Sequence, residues 1–153
     1  MGYRKFLLVC VCAVLLATQS LVATAQTSGV GFVKTVTGDA WVTTTGQRVK
    51  ATPGTAISIG SQLKTAPSAA LGITFKDNTV MSFGPDTELT VDEYLYAPAQ
   101  GQLQLTTRLA RGSLNYVSGV IAKLKPDAVQ VKTPTGIIGV RGTQFVVRVE
   151  EAQ

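Results

Sequence analysis

The sequence predicts an all-β fold: a single small domain of many short antiparallel strands, built as a sandwich or a short β-helical stack. Three observations predict it. Valine, isoleucine, threonine, phenylalanine and tyrosine dominate runs about four to eight residues long. Gly, Pro, Asn and Asp separate those runs at fairly even spacing. No segment after the first residues carries the 3.6-residue period of an amphipathic helix three turns long. The periodicity does not choose between sandwich and β-helix.

The runs follow one another in a clear order. Gly31 to Val36 is closed by Gly38-Asp39. Ala40 to Thr44 alternates Trp41 and Thr43 against Val42 and Thr44, and Thr45-Gly46-Gln47 turns it back. Pro53-Gly54 and Gly60-Ser61 bracket Ile57 and Ile59, which at period two are expected to point the same way. Leu71, Ile73 and Phe75 alternate up to Asp77-Asn78, two residues that tolerate the left-handed conformation of a tight hairpin. Met81 and Phe83 return the strand to Gly84-Pro85, and Leu89 and Val91 continue the pattern. Tyr94-Leu95-Tyr96 leads into the longest loop-like segment, Ala97 to Gly101. Leu103, Leu105, Thr107 and Leu109 share a face, and Leu114, Tyr116 and Ser118 follow Gly112 as a further strand. Ile121 to Lys125 is the one stretch expected to close as a helical turn, and Pro126 stops it.

Residues 1–25 read as a secretory signal peptide. Arg4 and Lys5 precede the apolar run Phe6 to Ala17, and Ala23-Thr24-Ala25 supplies a small-x-small cleavage site before Gln26. The run is too short and wrongly flanked for a stable span, and nothing after it reaches spanning length. The expected product is a periplasmic or secreted domain over 26–153 with no transmembrane segment. Both cysteines, Cys10 and Cys12, fall inside the leader, and the chain has no histidine. Disulfides, thiolate or imidazole metal sites, and Cys or His catalysis are thereby excluded from the mature domain, and no cofactor is expected. The fourteen Lys and Arg residues exceed the nine acids. Without Arg4 and Lys5 the excess is three, spread along the chain without interleaved aromatics, so no nucleic-acid role is expected.

The residues left to carry chemistry are acids, lysines and hydroxyls. Asp86, Glu88, Asp92 and Glu93 form an acidic cluster, and Asp86 with Glu88 on one strand face would resemble the carboxylate pair of glycosidic hydrolysis. Leu89 and Val91 mark the other face as buried, so an exposed, solubilising strand face explains the acids better than a carboxylate pair that lacks a partner groove. Asp77-Asn78 matches no calcium-loop spacing, and a hairpin turn accounts for both residues. The glycines of Gly136-Ile-Ile-Gly-Val-Arg-Gly142 lack the Lys-Ser/Thr ending and following helix of a phosphate loop. Trp41, Tyr94 and Tyr96 are candidate binding residues for an exposed aromatic platform, against the plainer reading of core or rim packing.

The order of motifs resembles the FecR domain, the periplasmic module named after the regulator of ferric-citrate uptake. Val36 to Val42 looks like its opening strand, and Gly60-Ser-Gln-Leu-Lys-Thr65 is similar to the step before its central hairpin. Leu71 to Val80 resembles that hairpin, with Asn78 where glycine is usual. Gly84 to Val91 looks like its "Gly-Pro-x-Ser/Thr-x-Leu" segment, and Leu109 to Leu114 like its "Leu-x-x-Gly-x-Leu" entry. The closing motif carries over at Val131, Thr133, Pro134, Ile138, Val140, Arg141, Gly142, Thr143 and Phe145.

These closing residues are expected to be scaffold. Pro134 pre-sets a turn, Gly136 and Gly142 allow positive φ or close backbone approach, and Val140 and Phe145 enter the core. Arg141 is expected to donate to carbonyls and pin the last hairpin. The resemblance implies a non-catalytic binding or sensing module with a protein partner in periplasmic signalling; a cell-wall or glycan-binding module is the alternative. The ferric-citrate regulator joins an anti-sigma segment and a membrane helix to this domain; here a leader stands in their place, so direct sigma-factor control is not implied. The chain ends soon after Arg148-Val-Glu-Glu, so the last strand is expected either to close a minimal domain or to leave an open edge for a partner. The oligomeric state is not legible.

Overall fold

The computed structural model describes residues 29–141 and 144–150; residues 1–28, with the expected signal peptide, Gly142, Thr143 and residues 151–153 lie outside the described residues. The strands are β1 (Gly31–Thr37), β2 (Ala40–Thr44), β3 (Gln47–Lys50), β4 (Ala56–Ile57), β5 (Gln62–Thr65) and β6 (Ala70–Phe75). They continue with β7 (Val80–Phe83), β8 (Glu88–Ala97), β9 (Gln102–Val117), β10 (Val129–Thr133), β11 (Gly136–Gly139) and β12 (Gln144–Val149). One short helix, α1 (Val120–Leu124), lies between β9 and β10. Pro126 ends it, as the sequence expects, by opening a 3-10 turn over Pro126–Ala128.

The strands form one path folded over on itself at β9. One arm runs β4-β1-β6-β7 and reaches the C-terminal half of β9, which β12 flanks on the other side. The other runs β3-β2-β5-β8 and reaches the N-terminal half of β9, followed by β10 and β11. Neighbours are antiparallel except β9 and β10, which run parallel from Val129 opposite Leu105 to Lys132 opposite Arg108. That pair departs from the wholly antiparallel expectation. The connection through α1 and the 3-10 turn carries the chain back to the start of β9, so β10 runs in the same direction.

The strands before and after Gly112 are not separate, as the turn-like glycine suggests, but one sixteen-residue strand. Its buried apolar side chains are Leu103, Leu105 and Leu109, with Thr107 on the same face, then Leu114 and Tyr116; Thr106 is buried as well, on the opposite face. The inward face thus changes from odd to even residues across Ala110–Gly112, which lets one strand serve both arms. Gly112 sits there with φ +89, and a Cβ on it would collide with Thr87. Just before it the pairing with β8 is irregular, with Glu88 opposite Arg111 and Leu89 opposite Leu109, so Ala110 is left over.

A single core joins both arms. Val42, Leu63, Leu89, Leu105 and Leu109 from one meet Ile57, Ile73, Phe75, Met81 and Tyr116 from the other. The alternations at 71–75, 81–83 and 89–91 all bury as their period requires. The Thr45-Gly46 connection has positive φ at both residues, the geometry of a two-residue hairpin. Ile57 and Ile59 do not act as a pair. β4 is only two residues long, so Ile57 is buried while Ile59 is exposed in the loop that follows.

Candidate interaction surface

The most constrained polar group is one the sequence marks only as a turn former. Asp77 is completely buried at the β6–β7 turn. Its carboxylate accepts from the Thr79 hydroxyl at 2.7 Å, the Ile121 N–H at 3.2 Å, the Thr79 N–H at 3.2 Å and the Tyr94 hydroxyl at 3.3 Å. The Asp77 N–H donates to the Tyr94 oxygen at 2.9 Å, and its carbonyl accepts from Val120 N–H at 2.8 Å. One residue thereby ties the β6–β7 turn to β8 and to the start of α1. Asn78 takes the left-handed conformation expected of it, with φ 65°. Protein donors occupy both carboxylate oxygens, and no group of three or more acidic, His or Cys residues is placed to hold a metal among the described residues.

The three candidate aromatics do not share a surface. Tyr94 is buried, stacked on Phe75 with ring centroids 5.4 Å apart. Burial first, and then the nearby Asp77 charge, push its phenol well above the ordinary tyrosine range. Tyr96 is half-buried near the end of β8. Trp41 lies on β2, opposite Lys64, which in turn faces Glu88 at the start of β8. Six residues of strand, roughly 20 Å, separate Glu88 from Tyr94. The Trp41 ring is covered by the Arg48 guanidinium, 4.3 Å from its centroid.

The acidic cluster is likewise dispersed. Asp86 stands in the turn before β8 with φ 50°, so it does not share a strand face with Glu88. Glu88 accepts from Gln62 at 2.6 Å and pairs with Lys64 at 3.0 Å and Arg111 at 3.8 Å. Asp92 pairs with Arg108 at 3.0 Å and Lys132 at 3.8 Å, and Glu93 accepts from Thr106. The acids are distributed among cations along the solvent face of the β3-to-β11 arm. Such half-exposed pairs contribute about 0–1 kcal/mol each, and none is placed as a paired acid and nucleophile.

The closing motif is largely at the surface. Thr133 faces Gly136 across the two-residue turn Pro134-Thr135, and its hydroxyl donates to the Gly136 carbonyl at 3.0 Å. Gly136 has no positive φ, and no atom lies within 4 Å of where a Cβ would stand, so the expected backbone reason for glycine is absent there. Val140 is buried, and Phe145 is half-buried against Tyr116 with centroids 4.8 Å apart. Arg141 is exposed, and no hydrogen bond or ion pair joins it to another described residue, so nothing among the described residues supports its expected role as a pin. The chain is already turned by Pro134 and anchored by Val140, whose N–H bonds the Val129 carbonyl.

The four outer strands differ in a way no single motif announces. β3 is wholly exposed and carries Arg48 and Lys50, and β4 is two residues long. Charge and shortness are two ordinary means of blunting a sheet edge. β11 has no charged residue and leaves Ile137 65% exposed; β12 has one, Arg148, and leaves Val146 70% exposed. Half-buried apolar residues rim the core at Val36, Tyr96, Ile138, Phe145, Val147 and Val149, and the last four belong to β11 and β12. Both unblunted edges, which no described strand covers, lie within Gly136–Val149: β11 is joined to β9 through β10, and β12 flanks β9 directly. A groove of about 600 Å³ runs beside the first of them, lined by Arg108, Lys132, Pro134, Gly136 and Ile137.

Comparison with curated proteins and with solved structures gave no match. A family model described as FecR protein matches residues 61–153. The matched stretch holds the Asp77 turn, the β9 corner and both open edges; the Val36–Val42 segment lies before it, although β1 and β2 are built into the same sheet path. With more than half of its length matched, the chain belongs to the FecR family.

Proposed function

We propose that the chain is an exported, non-catalytic FecR-family module that engages a protein partner in periplasmic signalling through the open edges at β11 and β12. The family is signalling-related and usually periplasmic or membrane-associated. Among the described residues no helix is long and apolar enough to cross a membrane. The observation that carries the reading is the contrast between blunted and unblunted edges. An added strand on β11 or β12 would find free backbone donors and acceptors and would cover the half-buried row of Ile138, Phe145, Val147 and Val149. Cleavage after Ala25 is part of the same reading, and intact mass of exported protein beginning at Gln26 supports it, whereas retention of Met1 refutes it.

Affinity capture from envelope extracts, with wild type beside Ile137→Lys and Val146→Lys, tests the edges. Both positions are solvent-exposed, so the variants are expected to melt with the wild type while losing a discrete captured protein. Equal capture by all three sinks the edge assignment, and retention on peptidoglycan sacculi in place of a protein favours the glycan-binding alternative.

A further inference from the structure

Within the reading that the open edges bind protein, we infer that β12 pairs with β12 of a second copy of this chain, antiparallel, with Val146 on the two-fold axis. The direction of the backbone groups comes from Ser113, the residue opposite Arg148. The Ser113 N–H donates to the Thr87 hydroxyl and its carbonyl accepts from Gly84 N–H. Both groups therefore point toward the β7 side of β9 and away from β12. In an antiparallel ladder, opposed residues either exchange both bonds or turn both away, alternating along the strand. Arg148, Val146 and Gln144 thus turn their N–H and C=O groups outward to the edge that no described strand covers, while Phe145, Val147 and Val149 bond to β9.

Three outward-facing residues spaced by two are a template for a further strand, and this strand is complementary to itself. With Val146 opposite Val146 of the second copy, the outward-turned residues pair with one another throughout, Gln144 falling opposite Arg148 in both directions. Phe145 falls opposite Val147 in both directions on the core side. The most solvent-exposed large apolar side chain, Val146, meets its own copy, and the half-buried core rim gains an apolar row opposite it. No charge directly faces a like charge, and the arginine guanidinium meets a side-chain amide whose carbonyl can accept from it. Such an isologous contact closes at two copies, which removes the edge from further pairing.

Sedimentation velocity over a concentration series tests the pairing, using substitutions on the solvent side of β12 where the monomer fold is little affected. Gln144 makes one exposed bond, to Asn115 at 3.1 Å. Gln144→Glu places two new carboxylates opposite the two Arg148 guanidinium groups and is expected to tighten the dimer roughly fivefold. Gln144→Lys is expected to weaken it by a similar factor, and adding Arg148→Glu to Gln144→Lys is expected to restore it. A wild-type chain that stays monomeric to its solubility limit overturns the pairing, as does a dimer indifferent to the sign of residue 144. A monomer that still captures a protein through Val146 sinks the self-pairing alone; a charge-sensitive dimer that captures nothing sinks only the broader partner assignment.

Discussion

The β6–β7 turn and the closing segment Thr133–Phe145 look alike as sequence, each a cluster of turn residues feeding an alternating strand, yet the structure uses them in opposite ways. At the first, Asp77 is buried and collects donors from Thr79 in its own turn, from β8 and from α1. At the second, Thr133 is half-buried, Pro134, Gly136 and Arg141 stand at the surface, and among the described residues only Val140 is fully buried. The difference teaches that density of turn residues marks where the chain bends, not how much of the molecule depends on the bend. What decides that is whether other elements converge on it, and both β8 and α1 converge on Asp77.

Breaking the first region is expected to have the largest effect. Asp77→Ala leaves the Tyr94 hydroxyl and the N–H groups of Thr79 and Ile121 buried without their acceptor, at about 3–5 kcal/mol. Thermal unfolding is expected to fall by roughly 10 °C or more, and a loss near 2 °C would show that water or a rearranged turn replaces the carboxylate. Gly119→Ala attacks the same place by shape. A Cβ there meets the Thr79 N–H and the Asp77 carbonyl, so a cost of about 2–3 kcal/mol is expected in denaturant unfolding. A wild-type midpoint in this variant would mean that the α1 junction is loosely packed.

Tyr94→Phe removes one donor and one acceptor and is expected to cost about 1–2 kcal/mol. The phenol also gives the region a pH signature. Burial raises the Tyr94 and Tyr116 pKa values in the folded protein, so the unfolded chain releases these protons first as pH rises. Stability is therefore full below about pH 10, the unfolded tyrosine value, and declines above it. Titration followed by tyrosinate absorbance should show two tyrosines that ionise only as the protein unfolds; ordinary titration of every tyrosine would remove the sign of this argument.

In the closing segment the same kinds of change are expected to do little. Arg141→Ala should leave stability within about 0.5 kcal/mol, since the side chain has no partner among the described residues. Gly136→Ala should be neutral or stabilise by up to about 1 kcal/mol, because its φ is ordinary and the space beside it is open. A large loss in either would restore the closing motif as a structural lock and erase the contrast with Asp77.

Much of the fold is legible in the sequence because period-two alternation directly reports one buried face. Leu71, Ile73, Phe75, Met81, Phe83, Leu89 and Val91 all bury as alternation requires. The motif order likewise identifies the family from local chemistry alone. The candidate aromatics are less legible, since a strand position fixes a face but not the distance to a residue on another strand. Tyr94 and Trp41 both belong to the β3-to-β11 arm but lie far apart along it. The burial of Asp77 has a faint signal in Gly119, a glycine with ordinary φ, which becomes informative only once the turn packs against it.

By itself the sequence determined the all-β class, the lack of histidine and of any cysteine beyond Cys12, most inward faces and the family. These are properties of composition, period and order along one chain. Only the tertiary structure decided that β9 is continuous through Gly112, that β10 runs parallel to it, that Asp77 joins three elements, and which outer strands keep open edges. Each of those depends on which segments meet across long sequence separations, and local residue preferences carry no term for that meeting.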